Sequence, residues 1–257
     1  MLNTIIQGDC LEVMKGIPDK SIDLVLTSPP YDNLRTYKGY TFNFEGIAKE
    51  IYRVLKDGGV CVWVVGDATI KGSETGTSFR QALFFKEIGF NLHDTMIYRK
   101  QNPMPIKAKR YSSAFEYMFV FCKGNLTTFN PILVKSTYGG KKLFGKRTTW
   151  KVDGTKNIGE KSQIAEYKIP ENIFTYLVGS FGTNKSNHPA SFPEKLAEDH
   201  ILSWSNEGDT ILDPMAGSGT TLKMAKKNNR KYIGIEIAPE YIEIINKRLN
   251  CIEQSIF

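Results

Sequence analysis

At 257 residues, 41% hydrophobic and 24% charged, the chain has the composition of an ordinary globular protein, and one large domain with an insertion is the natural expectation. No apolar run reaches the length of a membrane span, and the start MLNTIIQGDC lacks the basic flank and long apolar stretch of a signal peptide, so a cytoplasmic protein without membrane attachment is expected. The net charge is +7, and neither the scattered cysteines (Cys10, Cys61, Cys122, Cys251) nor the histidines (His93, His188, His200) have metal-ligand spacing, which argues for reduced thiols and against a metal site.

Along the chain, short apolar runs alternate with amphipathic patterns, the signature of an α/β sheet. Strands are expected at 3–6, 22–26, 60–65, 92–98 and 116–121, and helices at 11–16, 44–55 and 78–88. The helix at 44 places Ile47, Ile51 and Leu55 on one stripe and should stop at Asp57-Gly58-Gly59. From 123 to 187 the rhythm fails, and glycine, lysine, threonine and asparagine dominate. It resumes with a helix at 193–203, a strand at 210–212, a helix at 220–227, a strand at 232–236 and a helix at 239–249.

The irregular stretch holds most of the excess charge. Residues 130–187 carry ten Lys/Arg against four acids, and a second run, Arg99, Lys100, Lys107, Lys109 and Arg110, contains no acid. A solvated surface is one reading; an electrostatic footprint for a polyanion, nucleic acid first, is the other. The aromatics Phe129, Tyr138, Phe144, Trp150 and Tyr167 interleave with the basic residues and argue against plain disorder. A long irregular stretch of this kind inside a compact domain is expected to be a recognition insertion.

Near the C-terminus, TILDPMAGSGTTLKMA reads as strand, tight turn and helix. Gly217 and Gly219 let the backbone approach a ligand, Thr220 can cap the next helix, and its first N–H groups favour an anion. A Walker loop would need a lysine that is absent, and a dinucleotide fingerprint would need glycine where Leu222 stands. A nucleoside-like ligand without a pyrophosphate remains. Glu236 ends the following strand, KYIGIE, where a carboxylate can accept from both ribose hydroxyls; a helix-capping acid is the alternative.

DPMAGSGTT together with TSPPY at 27–31 resembles the S-adenosylmethionine-dependent DNA amino-methyltransferases. The catalytic motif precedes the cofactor motif with the irregular region between them, an order that resembles the beta-class, circularly permuted members. GDCLEVM, LKDGG, WVVGD and HPASFPEKL extend the similarity over most of the chain. The resemblance implies a seven-stranded, mostly parallel α/β sheet with helices on both faces. It divides the chain into a catalytic part at 1–122, a basic target-recognition region at 123–187 and a cofactor-binding part at 188–257.

The implied chemistry explains TSPPY. An exocyclic amine is a poor nucleophile because its lone pair is delocalised into the ring, and acceptors aimed at its N–H bonds favour the tetrahedral geometry. The Ser28 hydroxyl and Pro29 carbonyl are the expected acceptors; Pro29 and Pro30 stiffen the turn, and Tyr31 offers a face on which an extruded base stacks. S-adenosylmethionine is the implied cofactor, with Asp9, Asp213, Pro214, Ala216, Gly217, Gly219, Thr220 and Glu236 around it and His188 and Phe192 lining its pocket. Asp9 has a second reading as a helix cap, and Asp67 an expected cofactor or catalytic-support role. Arg35, Lys107, Lys109, Arg110, Lys141, Lys142, Lys146, Arg147 and Lys151 are the expected DNA contacts.

Family members with serine in this motif are mostly cytosine-N4 enzymes, so N4-methylcytosine in double-stranded DNA is the expected product. Adenine-N6 methylation is the alternative. RNA methylation and a non-catalytic DNA-binding protein on the same fold are more distant ones. Cytosine-C5 chemistry would need a cysteine nucleophile in a Pro-Cys setting that is absent. The resemblance further implies host DNA modification beside a separately acting restriction endonuclease, and leaves a homodimer open.

Overall fold

The computed structural model describes residues 2–30, 42–107, 109–142, 147–159, 163–178 and 193–253. In chain order the elements are β1 (Thr4–Gln7), α1 (Cys10–Met14), β2 (Ile22–Thr27), α2 (Phe44–Val54), β3 (Leu55–Val65), β4 (Thr69–Ile70), β5 (Ser73–Glu74), α3 (Thr77–Glu87), β6 (Phe90–Lys100) and β7 (Phe115–Lys123). They continue with β8 (Val134–Lys135), β9 (Arg147–Trp150), β10 (Lys156–Gly159), β11 (Tyr167–Lys168), β12 (Ile173–Tyr176), α4 (Glu194–Trp204), β13 (Thr210–Asp213), α5 (Thr220–Lys227), β14 (Lys231–Glu236) and α6 (Pro239–Glu253). The chain divides into two compact units, Met1–Asn130 with Asn172–Phe257, and Pro131–Glu171.

The larger unit is built on one sheet, in the order β1-β14-β13-β2-β3-β7-β6-β12. Only β7 runs antiparallel to its neighbours; every other adjacent pair is parallel. Strands covered on both faces need apolar side chains in both directions, which is why 60–65 reads as a continuous apolar run and 22–26 as one broken only by Asp23. Leu24, Leu26, Val60, Val62 and Val64 pack on the face that carries Leu196, Ile201, Leu222 and Ile245 from α4, α5 and α6. Val25, Cys61, Trp63 and Val65 pack on the other, against Met14, Ile47, Ile51 and Phe85 from α1, α2 and α3.

The expected mostly parallel sheet with helices on both faces is therefore present, with eight strands where seven were expected. The eighth, β12, lies inside the stretch taken as irregular and pairs with β6 from Ile173↔Ile97 to Tyr176↔Lys100. It is a short edge strand in which Tyr176 alone is buried, so it carries no apolar run to announce it. The other correction concerns α2, which ends at Val54, while β3 begins at Leu55 and runs through Asp57-Gly58-Gly59. The Lys123 ammonium donates to the carbonyls of Tyr52 (2.6 Å) and Leu55 (2.9 Å), covering the end of the helix with a cation. Gly58, at φ +82°, serves the entry of the strand.

The smaller unit holds two two-stranded sheets, β8 with β11 and β9 with β10, both antiparallel. It carries nine Lys/Arg against four Asp/Glu.

Candidate active site

Because β1, β14, β13, β2 and β3 are parallel neighbours, their carboxyl ends share one edge of the sheet. From β13 the chain passes through α5 to β14 on one side; from β2 it passes through α2 to β3 on the other. The direction of winding thus reverses between β13 and β2, where an open α/β sheet leaves a crevice for ligands. The glycine-rich turn leaves β13 and Ser28-Pro29-Pro30 leaves β2, so the two motifs meet on either side of that crevice.

A buried contact joins them. The Thr27 hydroxyl donates to Asp213 Oδ1 at 2.8 Å, and the Met215 N–H donates to the same oxygen at 3.1 Å. Thr27 is wholly buried and Asp213 is 2% exposed. The Thr221 hydroxyl lies between the Asp213 carboxylate and the Leu26 carbonyl, 3.2 Å away. Burial pushes the Asp213 carboxyl up to about 6, against the hydrogen bonds from Thr27, Thr221 and Met215, with the Glu236 charge adding to the rise. Asp213 therefore acts on the last residue before Ser28 as well as on its own turn.

The turn itself needs its glycines. Gly217 and Gly219 sit at φ +51° and +76°, and a Cβ on Gly219 would stand 2.8 Å from Ile245 Cγ2. Gly219, not Thr220, occupies the N-cap position of α5. Pro214 and Ala216 are buried beneath the turn. Arg248 of α6 fastens it from behind, donating to Ser218 O (2.6 Å), Ser218 Oγ (2.9 Å) and Thr220 Oγ1 (3.2 Å). Its other nitrogen donates to Glu194 Oε1 at 2.7 Å, which also accepts from Lys223 at 2.7 Å.

Glu236 ends β14 beside this turn. Its Oε2 accepts from the Gly217 N–H at 2.7 Å and its Oε1 from the Ala238 N–H at 2.9 Å. Burial raises its pKa above the ordinary value, the backbone donors of Ala238, Gly217 and Ile237 opposing. On the other side of β14, the Gly8 N–H donates to Glu236 O at 3.0 Å, which brings the start of Asp9 to the same edge. Asp9 caps α1, its Oδ1 accepting from Leu11 N (2.9 Å) and Glu12 N (3.2 Å). Burial, with the charges of Asp9 and Glu236, pushes the Cys10 thiol up to about 12.

Ser28 and Pro30 are half-buried and Pro29 is buried. Tyr31, Arg35, Lys146, His188 and Phe192 lie outside the described residues. Asp67 follows β3 but caps α3: its Oδ1 accepts from Ser78 N at 2.9 Å and its Oδ2 from Ser78 Oγ at 2.5 Å. Of the expected DNA contacts in the larger unit, Lys107 and Lys109 are exposed, whereas Arg110 holds the β4–β5 hairpin through Thr69 Oγ1 (2.6 Å) and Gly72 O (2.7 Å). In the smaller unit Lys141, Lys142 and Lys151 are exposed, Lys141 standing 5.3 Å from the centre of the Tyr138 ring, and Arg147 opens β9. Among the described residues no three His, Cys, Asp or Glu side chains are grouped to hold a metal.

Thr27, Thr221, Glu194 and Arg248 were not singled out from the sequence. Thr27 had a signal, since TSPPY opens on a pair of hydroxyls; Arg248 had none, because its partners lie 28 to 54 residues away along the chain.

The orphan methyltransferase M.BamHII of Bacillus amyloliquefaciens is 55% identical over 242 residues, 91% of each chain. The type II methyltransferase M.HinfI of Haemophilus influenzae is 30% identical over 277 aligned positions, covering 96% of this chain and 68% of its own. Among solved structures, the PvuII DNA methyltransferase (cytosine-N4-specific) superposes with a TM-score of 0.71 at 21% identity, over 99% of this chain and 91% of that one. The M1.HpyAVI–SAM complex does so with a TM-score of 0.63 at 23% identity, over 96% and 99%; both share the fold. The N6/N4 methyltransferase family model, described as DNA methylase, matches residues 22–247, and the chain belongs to that family.

Proposed function

We propose that the chain transfers a methyl group from S-adenosylmethionine to the exocyclic N4 amine of cytosine, in a base flipped out of double-stranded DNA. The observation that carries this reading is the Thr27–Asp213 hydrogen bond of 2.8 Å, which ties the turn suited to an amine to the turn suited to a nucleoside. The cofactor supplies a methyl group already activated on a sulfonium. The residues present fit such a group: Gly217 and Gly219 keep side chains off the turn, and Glu236 holds a buried carboxylate beside Gly217 N. The Glu236 carboxylate keeps acceptor capacity for a ribose hydroxyl beyond its backbone donors.

On the substrate side, Ser28 and the Pro29 carbonyl accept from the amine N–H bonds and favour its nucleophilic geometry. Fixed acceptors of this kind cost no reorganisation during reaction, and the two prolines with the Thr27 anchor supply that rigidity. Alignment and charge placement then suffice without a covalent intermediate. Burial raises the pKa of Cys61 and of Cys122 and leads the rise at Cys10, which suits these three thiols poorly to attack on a ring carbon. The serine in the motif favours cytosine-N4 over adenine-N6. Host DNA modification beside a separately acting restriction endonuclease stays part of this reading, although the relative at 55% identity is an orphan methyltransferase.

Ser28→Ala tests the assignment. It is expected to lower kcat for labelled methyl transfer to DNA by about 100-fold, while calorimetric affinity for S-adenosylmethionine changes less than about threefold. A parallel loss of cofactor affinity would place Ser28 in the cofactor pocket instead. Label entering RNA in preference to DNA would move RNA methylation ahead of this reading.

A further inference from the structure

The smaller unit carries a feature that the site above leaves unused. Strands β9 and β10 form a hairpin in which Trp150 faces Lys156, Thr149 faces Asn157 and Thr148 faces Ile158. Every side chain from Thr148 to Asn157 is exposed, Trp150 to 69% and Val152 completely. Two-stranded hairpins are marginal alone, yet this one is braced from within. The Lys151 N–H donates to Thr155 O at 2.8 Å and the Gly154 N–H to Lys151 O at 3.0 Å, with Gly154 at φ +78°. Asp153 is consumed by the turn, accepting from Thr155 N (2.9 Å) and Thr155 Oγ1 (2.6 Å). The Lys156 ammonium sits 4.7 Å from the centre of the Trp150 ring, a cation–π pair that clamps the two strands.

Successive residues of a strand point to opposite faces, so the ribbon has two unlike sides. Trp150 and Lys156 occupy one. Thr149 and Asn157 occupy the other, with a hydroxyl, a methyl and an amide that both donates and accepts. A B-DNA major groove is about 12 Å wide and admits a two-stranded ribbon, and an amide there can make paired hydrogen bonds to adenine. Small side chains on the Thr149 face would let the backbone sit deep in such a groove, and lysine side chains are long enough to reach phosphates at its walls. The ribbon carries Arg147, Lys151 and Lys156 against the single acid Asp153, so its net charge is positive.

We infer that the β9–β10 hairpin reads the DNA sequence from the major groove, with Thr149 and Asn157 at base edges and Lys151 and Lys156 on phosphates. The inference rests on the DNA-methyltransferase reading. Neither Thr149, Asn157 nor Lys156 was among the expected contacts, because residue type alone does not show which positions share a face.

The test uses the full chain, with a Thr149→Ala/Asn157→Ala double variant and a Lys151→Ala/Lys156→Ala double variant. Labelled methyl transfer is followed on genomic DNA with sequencing of modified sites, beside binding to duplex DNA at several salt concentrations. The first variant is expected to lose about 10- to 100-fold in kcat/KM at the wild-type site and to spread its label over related sequences. The second should bind all duplexes more weakly, the slope of log affinity against log salt falling by about two. Cofactor affinity should be unchanged in both. Wild-type site preference and salt slope in both variants would overturn the inference and leave the methyltransferase reading standing. A wild-type chain that labels no DNA, or labels RNA in preference, would overturn both.

Discussion

Asp213→Ala is expected to lose about 100-fold in kcat/KM, the scale set by a small misplacement of reacting groups, whereas Asp213→Asn should stay within about threefold of wild type. The asparagine oxygen can accept from Thr27 and Met215 as Asp213 Oδ1 does, so the junction between the two turns survives. Alanine leaves a buried hydroxyl and a backbone N–H without their acceptor, at about 1–3 kcal/mol each. The alanine variant should therefore unfold more readily than the asparagine variant in urea. The charge has its own signature. Burial raises the folded-state pKa from 3.8 to about 6, so the folded chain binds the proton more readily than the unfolded chain. Stability from this group is fully present below pH 4 and is lost as pH rises through 6, by about 3 kcal/mol at 1.4 kcal/mol per unit. Asp213→Asn should lack that slope and be the more stable protein at pH 8. A large loss of transfer in the asparagine variant would show that the carboxylate charge itself is used.

His200 should dominate the acid side with the opposite sign. It is buried in α4, where its Nδ1 accepts from the Trp204 indole N–H at 3.1 Å. Its Nε2 stands 3.1 Å from Met118 Sδ, so the proton belongs on Nε2. Burial pushes the imidazole down to about 3 from 6.5. The unfolded chain thus takes up the proton first, and the folded state loses stability as pH falls below 6.5, by about 3 kcal/mol at pH 4.5 and about 5 kcal/mol at pH 3. His200→Phe should be less stable at pH 7.5 by about 1–3 kcal/mol, because the Trp204 indole loses its acceptor. That deficit should shrink or reverse at pH 4.5 in urea unfolding followed at both pH values. An unchanged deficit would mean that the imidazole protonates without disturbing the fold.

The repeating architecture was legible because its strands are covered on both faces. The runs at 22–26 and 60–65 are short, β-branched-rich and bounded by turn residues, and both are central strands here. Edge strand β12 was not legible, since a half-exposed segment of four residues has no apolar signature. The end of α2 was misplaced because Asp57-Gly58-Gly59 looks like a helix stop, while the cation that covers its carbonyls, Lys123, comes from 68 to 71 residues away. At the site, the glycine turn and Glu236 were readable as local motifs. Asp9 was readable as a helix cap, but what Asp213 and Asp67 hold was not. Asp213 meets a hydroxyl 186 residues distant, and Asp67, expected at the cleft, is taken up by Ser78. Local chemistry marks where a turn stands; only the fold shows which neighbour uses its charge.

The most direct test of the central claim is the identity of the methylated nucleoside. Unmethylated genomic DNA incubated with the chain and isotopically labelled S-adenosylmethionine is digested to nucleosides and separated by mass spectrometry. Label in N4-methylcytosine is the expected result; label confined to N6-methyladenine would keep the amine chemistry at Ser28 and contradict the cytosine assignment.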